Sequence, residues 1–209
     1  MTTRNGTASE DPAKRQAILE RAIAAFAELG FRGTDVQVIA DRACVGKGTV
    51  YRYFRNKEDL FWAATYEVMM RLDRHLDAAM QGVEGAAAKL WASAMAYAEF
   101  FENHPPYLEM FVQERAEFRG CGPESHLEFH EQMIRKFGGI LQQGIDAGEL
   151  RPVDPRVTTL SLGCLLHGTV VLGSHLRPAS VMEIAKQAVE LFLTGLRTES
   201  ACLSGSQSP

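Results

Sequence analysis

Thr34-Asp35-Val36-Gln37-Val38-Ile39-Ala40-Asp41-Arg42-Ala43-Cys44-Val45-Gly46-Lys47-Gly48-Thr49-Val50-Tyr51-Arg52-Tyr53 is the stretch on which the reading of this chain turns. Thr34 or Asp35 caps a helix, and Val36, Ile39, Ala40 and Ala43 give it one apolar side. Cys44-Val45-Gly46 is a tight turn, and a second short helix runs from Lys47 to Tyr53. At 100° per residue, Lys47, Tyr51, Gly48 and Arg52 fall within an arc of about 140°, while Val50 lies opposite. Two short helices joined this way have the form of a helix-turn-helix. The outward side of the second helix carries two cations, a phenol and a glycine. These are groups that read base edges, hold phosphates and permit close approach.

The flanking sequence supplies the rest of a small helical unit. Upstream, Ile18, Ala22, Phe26 and Leu29 recur at helical spacing from about Pro12, and Gly30 ends that helix, with Phe31 folding back on it. Downstream, Asn56 caps a long helix striped by Leu60, Ala64, Val68, Leu72 and Leu76, with Asp59 as a capping-box partner. Lys57 stands in its first turn, where its charge and the free N–H groups both suit a phosphate. Further helices follow over about 86–102, 106–118, 125–148, 156–176 and 180–196, the one from 125 capped by Ser125. No alternating strand pattern is present, so the expected fold is all-α.

The net charge of −4 points to no polyanionic partner, but its distribution does. Residues 1–60 hold ten Lys/Arg and eight Asp/Glu, and the remainder twelve and eighteen. A basic head on an acidic body keeps a DNA-facing charge local. The cysteines, Cys44, Cys121, Cys164 and Cys202, show no metal spacing and no CxxC. His126 and His130 are four apart but form no HExxH, and are read as a solvated face, with no metal. Residues 157–176 lack any Asp, Glu, Lys or Arg. The stretch is long enough to span a bilayer, but it carries Thr158, Thr159, Ser161, His167 and Thr169 and is read as a helix buried in a protein interface. The polar start, with no secretory leader, predicts a cytoplasmic protein. No GxSxG, Walker loop, GxGxxG or framed carboxylate pair is found, so an enzyme is not expected.

The runs Gly30-Phe31-Arg32-Gly33-Thr34, Ile39-Ala40-Asp41-Arg42-Ala43-Cys44-Val45 and Gly46-Lys47-Gly48-Thr49-Val50-Tyr51-Arg52-Tyr53-Phe54-Arg55-Asn56-Lys57-Glu58-Asp59-Leu60 together resemble the DNA-binding domain of the TetR (tetracycline repressor) family. Gly148-Glu149-Leu150-Arg151-Pro152 followed by Asp154-Pro155 is a weaker echo of the same family. The resemblance implies a DNA-binding domain over 11–71 and an effector-binding and dimerisation domain over 72–197. It implies operator contact by Lys47, Gly48, Thr49 and Tyr51, with Arg52 beside them and Gln37 reading from the preceding helix. Thr34, Tyr53 and Lys57 match phosphate-contacting positions. Two positions depart from the pattern. Cys44 stands where Gly is usual, and Gly46 where Ser often caps the helix.

The same resemblance implies a small-molecule effector held among the body helices, with no cofactor. The Met- and aromatic-rich lining suits an apolar or aromatic molecule. The expected lining is Met95, Phe100, His104, Tyr107, Phe111, Met133, Phe137 and His167, with Gln113 and Arg115 as further polar groups. The apolar helix from 156, opened by Ser161, Gly163, Gly168 and Gly173, is expected to form, with the helix over 180–196, a four-helix interface with its copy in a homodimer. The chain thus reads as a repressor released from a near-palindromic operator by its effector. A regulator sensing redox state through Cys121, and a helical enzyme, remain as alternatives.

Overall fold

The computed structural model describes residues 11–119, 122–173 and 180–198. Among these residues are nine helices: α1 (Pro12–Gly33), α2 (Val36–Arg42), α3 (Lys47–Tyr53), α4 (Lys57–Met80), α5 (Ala86–Asn103), α6 (Pro105–Phe118), α7 (Glu124–Asp146), α8 (Pro155–Gly173) and α9 (Val181–Leu196). They group into two compact units. One holds residues 11–68 and 109–119, and the other holds 69–108 together with the described residues from 122 onward. We call them the head and the body. The last turns of α6 group with the head rather than with the domain that was expected to begin at 72, and α4 and α6 each contribute to both units.

In the head, α1 is capped by Asp11, whose carboxylate accepts from the N–H groups of Ala13 and Lys14. Its regular course is broken at Gly30, where φ is 75°. A side chain is strained at that angle, so glycine lets the chain turn there. Phe31 then folds back onto Phe26 (ring centroids 6.1 Å apart), Phe61 (5.1 Å) and Phe118 (5.0 Å). Gln113 of α6 secures the same turn, since its Oε1 accepts from Phe31 N–H at 3.0 Å and its Nε2 donates to the Phe26 carbonyl at 3.0 Å. Gln113 is therefore a capping residue of α1 and not the ligand-orienting group expected from sequence. Ile18, Leu19, Ile39, Val50 and Leu60 are fully out of water and form the rest of this core.

The body core is built from α5, α7, α8 and α9. Ala86, Ala87, Leu90 and Ala94 meet Leu141, Leu150, Leu162, Leu166, Val189, Leu193 and Leu196. The small alanines of α5 let the helices approach closely. Gly144 of α7 takes this furthest: a Cβ there would stand 2.5 Å from the Ala86 Cβ. The 148–152 turn also has a structural task. Glu149 accepts from the N–H groups of Ala86 (2.7 Å) and Ala87 (2.9 Å), capping α5 from a distant part of the chain where Gly85 offers no side chain. Ser180 and Glu183 form a capping box on α9.

Two expectations are corrected here. Pro123, not Ser125, is the N-cap of α7, because the extended backbone at Pro123 (ψ 153°) starts the helix two residues earlier. His126 does not lie on a solvated face. It is buried one turn before the buried Phe129, while His130 is exposed.

Glu114 lies on α6 between Met110 and Phe118, four residues from each, on the side that the head buries. Among the described residues it has no ion pair, and burial pushes its carboxyl up to about 7. A carboxyl whose pKa rises on folding favours the folded state only at low pH, and that stability is lost as pH climbs from about 4.5 to about 7. Glu114→Gln is therefore expected to stabilise the protein by about 2 kcal/mol at pH 8 and to change little at pH 4.5. Denaturant unfolding at the two pH values measures this, and an equal effect at both contradicts it.

Candidate nucleic-acid interface

The short helix α3 buries a single residue, Val50. Val50 is 0% exposed, and on the other side Tyr51 is 42% exposed, with Gly48 and Arg52 also open to solvent. A Cβ on Gly48 would meet nothing within 4 Å. The turn before α3 passes through Cys44 at φ 54°, a left-handed conformation costly for a residue with a side chain. Gly46 then caps α3 with no side-chain bond. Both departures from the family pattern thus fall on the turn that aims the helix.

Lys47 is held by an acid. Lys47 Nζ donates to Asp35 Oδ1 at 2.9 Å, and that same carboxylate caps α2 through Gln37 N–H at 2.8 Å. The paired Lys47 and the backbone bond hold Asp35 below the usual carboxylate range, and Lys47 is raised in turn. Gln37 Nε2 donates to Asp41 Oδ1 at 2.7 Å. The Lys47–Asp35 ion pair and the Gln37–Asp41 hydrogen bond are both exposed, so water screens them.

Lys57 Nζ donates to the Arg32 carbonyl at 3.3 Å and stands 4.8 Å from the Phe31 ring centre. It borders a hollow of about 360 Å³ lined by Arg32, Gly33, Thr34, Asp35, Val36, Tyr51 and Lys57.

Two expected phosphate contacts, Thr34 and Tyr53, also bond within the head. Thr34 is buried, and its hydroxyl donates to the Gly30 carbonyl at 2.6 Å, so its side chain belongs to the frame. The Tyr53 hydroxyl accepts from Asp11 N–H at 3.1 Å and ties the start of α1 to the end of α3. Thr49 is half-buried, and Arg52 lies over the Tyr53 ring at 5.5 Å. Sequence reasoning missed Arg15, whose guanidinium covers Phe54 at 5.1 Å. Nothing in the helical periodicity signals that pairing, because the two residues lie on separate helices.

The positions expected to bind an effector are divided between the units. Phe111 groups with the head, and the other seven lie in the body. Met95 and Phe137 pack on the body core. Phe100, His104 and Tyr107 form a ring cluster, and Tyr97 Oη lies 3.4 Å from His167 Nδ1. Met133 is half-buried on α7. Cys121 lies outside the described residues.

A helix-turn-helix with an outward Tyr51, an open Gly48 and a surrounding set of cations defines a DNA-binding regulator. The family model described as "Bacterial regulatory proteins, tetR family" matches residues 18–64, and "Tetracyclin repressor-like, C-terminal domain" matches 83–196. The chain belongs to the TetR family of transcriptional regulators, a family of ligand-responsive DNA-binding proteins and not of enzymes.

Among curated relatives, the uncharacterised regulator YhgD of Bacillus subtilis is 29% identical over 146 residues, covering 69% of this chain and 76% of its own. The repressor KstR2 of Mycobacterium tuberculosis is 29% identical over 140 residues, covering 66% and 70%. The structure of FadR from Bacillus subtilis with stearoyl-CoA superposes with a TM-score of 0.73 at 23% identity, covering 87% of this chain and 99% of that one.

Two substitutions separate the fold of the head from its contacts. Cys44→Gly is expected to raise stability by about 1 kcal/mol, because it removes the left-handed strain. Gly48→Ala is expected to leave stability equal or raised by up to about 1 kcal/mol, since helix favours Ala and the space is open. It should nonetheless weaken operator binding, where the added methyl meets DNA. Thermal unfolding and gel retardation, run on the same preparations, test both; unchanged operator affinity in Gly48→Ala contradicts the close approach.

Proposed function

We propose that the chain is a homodimeric repressor whose α3 face reads the operator, with Gln37, Lys47, Gly48, Thr49, Tyr51 and Arg52 toward the groove and Lys57 on a flanking phosphate. The observation that carries this reading is the polarity of α3: Val50 is buried while Tyr51, Gly48 and Arg52 face out together. Thr34 and Tyr53 support the frame. A repressor acting on bacterial DNA works in the cytoplasm.

The dimer is assigned to α8. Val157, Leu160, Ser161, Cys164, Gly168 and Leu172 lie within an arc of about 120° on that helix. Among them Val157, Leu160 and Leu172 are exposed large apolar residues, while Leu162, Leu166 and Val170 face the body core. Ser161 and Gly168 thus sit on the free stripe. Gly173 does not, since its Cβ position meets Val181 Cγ2 at 3.3 Å inside the subunit, and Gly163 falls to one side. A copy of α8 covers the stripe in an isologous pairing. The two heads then meet half-sites about 34–36 Å apart or a multiple of that.

An apolar or aromatic effector in the body weakens operator binding, and by linkage the operator weakens effector binding equally. Chain continuity through α4 and α6 carries the change from one unit to the other.

Lys47→Ala and Lys57→Ala are expected each to lower the salt dependence of operator binding by about one. Tyr51→Ala is expected to cost about 1–3 kcal/mol, chiefly on the specific site. Affinity measured over a salt series settles both, and unchanged binding in all three variants overturns the reading. Leu160→Asp is expected to shift the dimer toward monomer in sedimentation at micromolar concentration and to weaken operator binding with it. A wild type that sediments as a monomer refutes the assembly.

A further inference from the structure

Arg32 stands near the end of α1, with its side chain 84% exposed. Its Nε donates to both carboxylate oxygens of Glu117 of α6, at 3.0 and 2.8 Å. The Glu117 side chain is 23% exposed, so the acid is the anchored partner and the guanidinium reaches into water. The bond uses Nε alone. Among the described residues neither terminal nitrogen of Arg32 makes a hydrogen bond, so the forked end of the guanidinium is open.

Lys57 of α4 comes to the same place. Its Nζ donates to the Arg32 carbonyl at 3.3 Å and lies 4.8 Å from the Phe31 ring centre. These contacts hold the ammonium beside Arg32 and leave its other donors open. Both cations line the hollow of about 360 Å³ on which Tyr51, an outward residue of α3, also borders. A Cβ on Gly33, between Arg32 and Thr34, would meet nothing within 4 Å, so the hollow is unobstructed there. Asp35 is the acid of the lining. Its carboxylate accepts from Lys47 at 2.9 Å and from Gln37 N–H at 2.8 Å, so its charge is already engaged. All these residues belong to the head.

Two cations at one open hollow match an oxyanion with free oxygens. Arginine takes such a group through parallel N–H bonds, and lysine holds it as a point charge. The phosphodiester of duplex DNA has this form, and phosphate contacts of this kind fix the register of a reading helix. We propose that Arg32 binds an operator phosphate jointly with Lys57 across this hollow, and that Glu117 orients Arg32 for that contact. The inference rests on the assignment of the α3 face as the operator surface. It places one phosphate contact under the control of α6, the helix whose first turn groups with the body.

The test uses the full-length protein and a duplex that the wild type selects from a random-sequence pool. Affinity is measured by fluorescence anisotropy over a salt series for wild type, Arg32→Gln, Arg32→Lys, Glu117→Ala and the Arg32→Gln/Glu117→Ala double variant. An ion pair this exposed contributes little to stability, and circular dichroism checks that each variant is folded. Arg32→Gln is expected to weaken binding about ten-fold and to lower the salt slope by about one. Arg32→Lys should keep the slope and lose part of the affinity, since it keeps the charge but not the fork. Glu117→Ala should weaken binding about two- to five-fold relative to its effect in the Arg32→Gln background, where only the loss of a negative charge acts.

A folded Arg32→Gln protein with wild-type affinity and salt slope overturns the contact. Equal effects of Glu117→Ala in the two backgrounds, or tighter binding where Arg32 is present, overturn the orienting role. Inorganic phosphate, titrated by calorimetry, separates DNA from a free anion: micromolar binding that is lost in Arg32→Gln gives the hollow to a small phosphate and refutes the DNA assignment. A pool from which the wild type selects nothing removes the operator reading and this proposal with it. Selection of a duplex that Arg32→Gln binds as the wild type does removes this proposal alone.

Discussion

A helix of seven residues is far below the length that holds together in water, and α3 lacks even a side-chain cap at its start. Its stability comes from burying Val50 against the head and from the connections at both its ends. At one end the turn passes through Cys44. At the other, the Tyr53 hydroxyl is tied to Asp11 N–H at 3.1 Å, and Phe54 is buried beneath Arg15. The outward residues of α3 are therefore presented by a helix that has no stability of its own. Everything else in the head, from the Gly30 turn to the Phe26–Phe31–Phe61–Phe118 rings, serves to keep that short helix aimed.

This dependence extends to α6. Gln113 satisfies both a donor and an acceptor left over where α1 turns, and Arg32 pairs with Glu117 at 2.8 Å. The exposed ion pair contributes little. The two hydrogen bonds of Gln113 are partly buried, where an unmade bond is expensive. A segment distant in sequence thus closes the end of the first helix. Its own first turn, carrying Tyr107, groups with the body. The same helix bears a residue that secures the reading head and a residue of the body's ring cluster. Tyr107 and Gln113 are six residues apart on α6.

Much of the head was legible in the sequence because its helices obey local rules. Glycine stands at the turn after α1, an Asx residue caps α2, Asn56 caps α4 through Asp59 N–H at 2.7 Å, and Val50 alone points inward on α3. What escaped were the links between distant segments. Glu149 capping α5, Gln113 capping α1 and Tyr53 bonded to Asp11 all join residues more than forty positions apart, and periodicity carries no information about them. Thr34 shows the opposite error. A hydroxyl just before a helix suits a phosphate contact, but it turns inward to the Gly30 carbonyl because the broken end of α1 offers an acceptor closer by.

The body was harder to read for a related reason. Large soft side chains signal a core and a ligand site equally well, so composition alone placed Phe111 with residues that belong to the other unit. The informative quantity is hydrogen-bond satisfaction, which a sequence does not display. Met95 and Phe137 pack on the body core and are accounted for as structure. Next to Phe100 the accounting does not close for one atom, because His75 Nε2 is shut off from water and has no hydrogen-bond partner among the described residues.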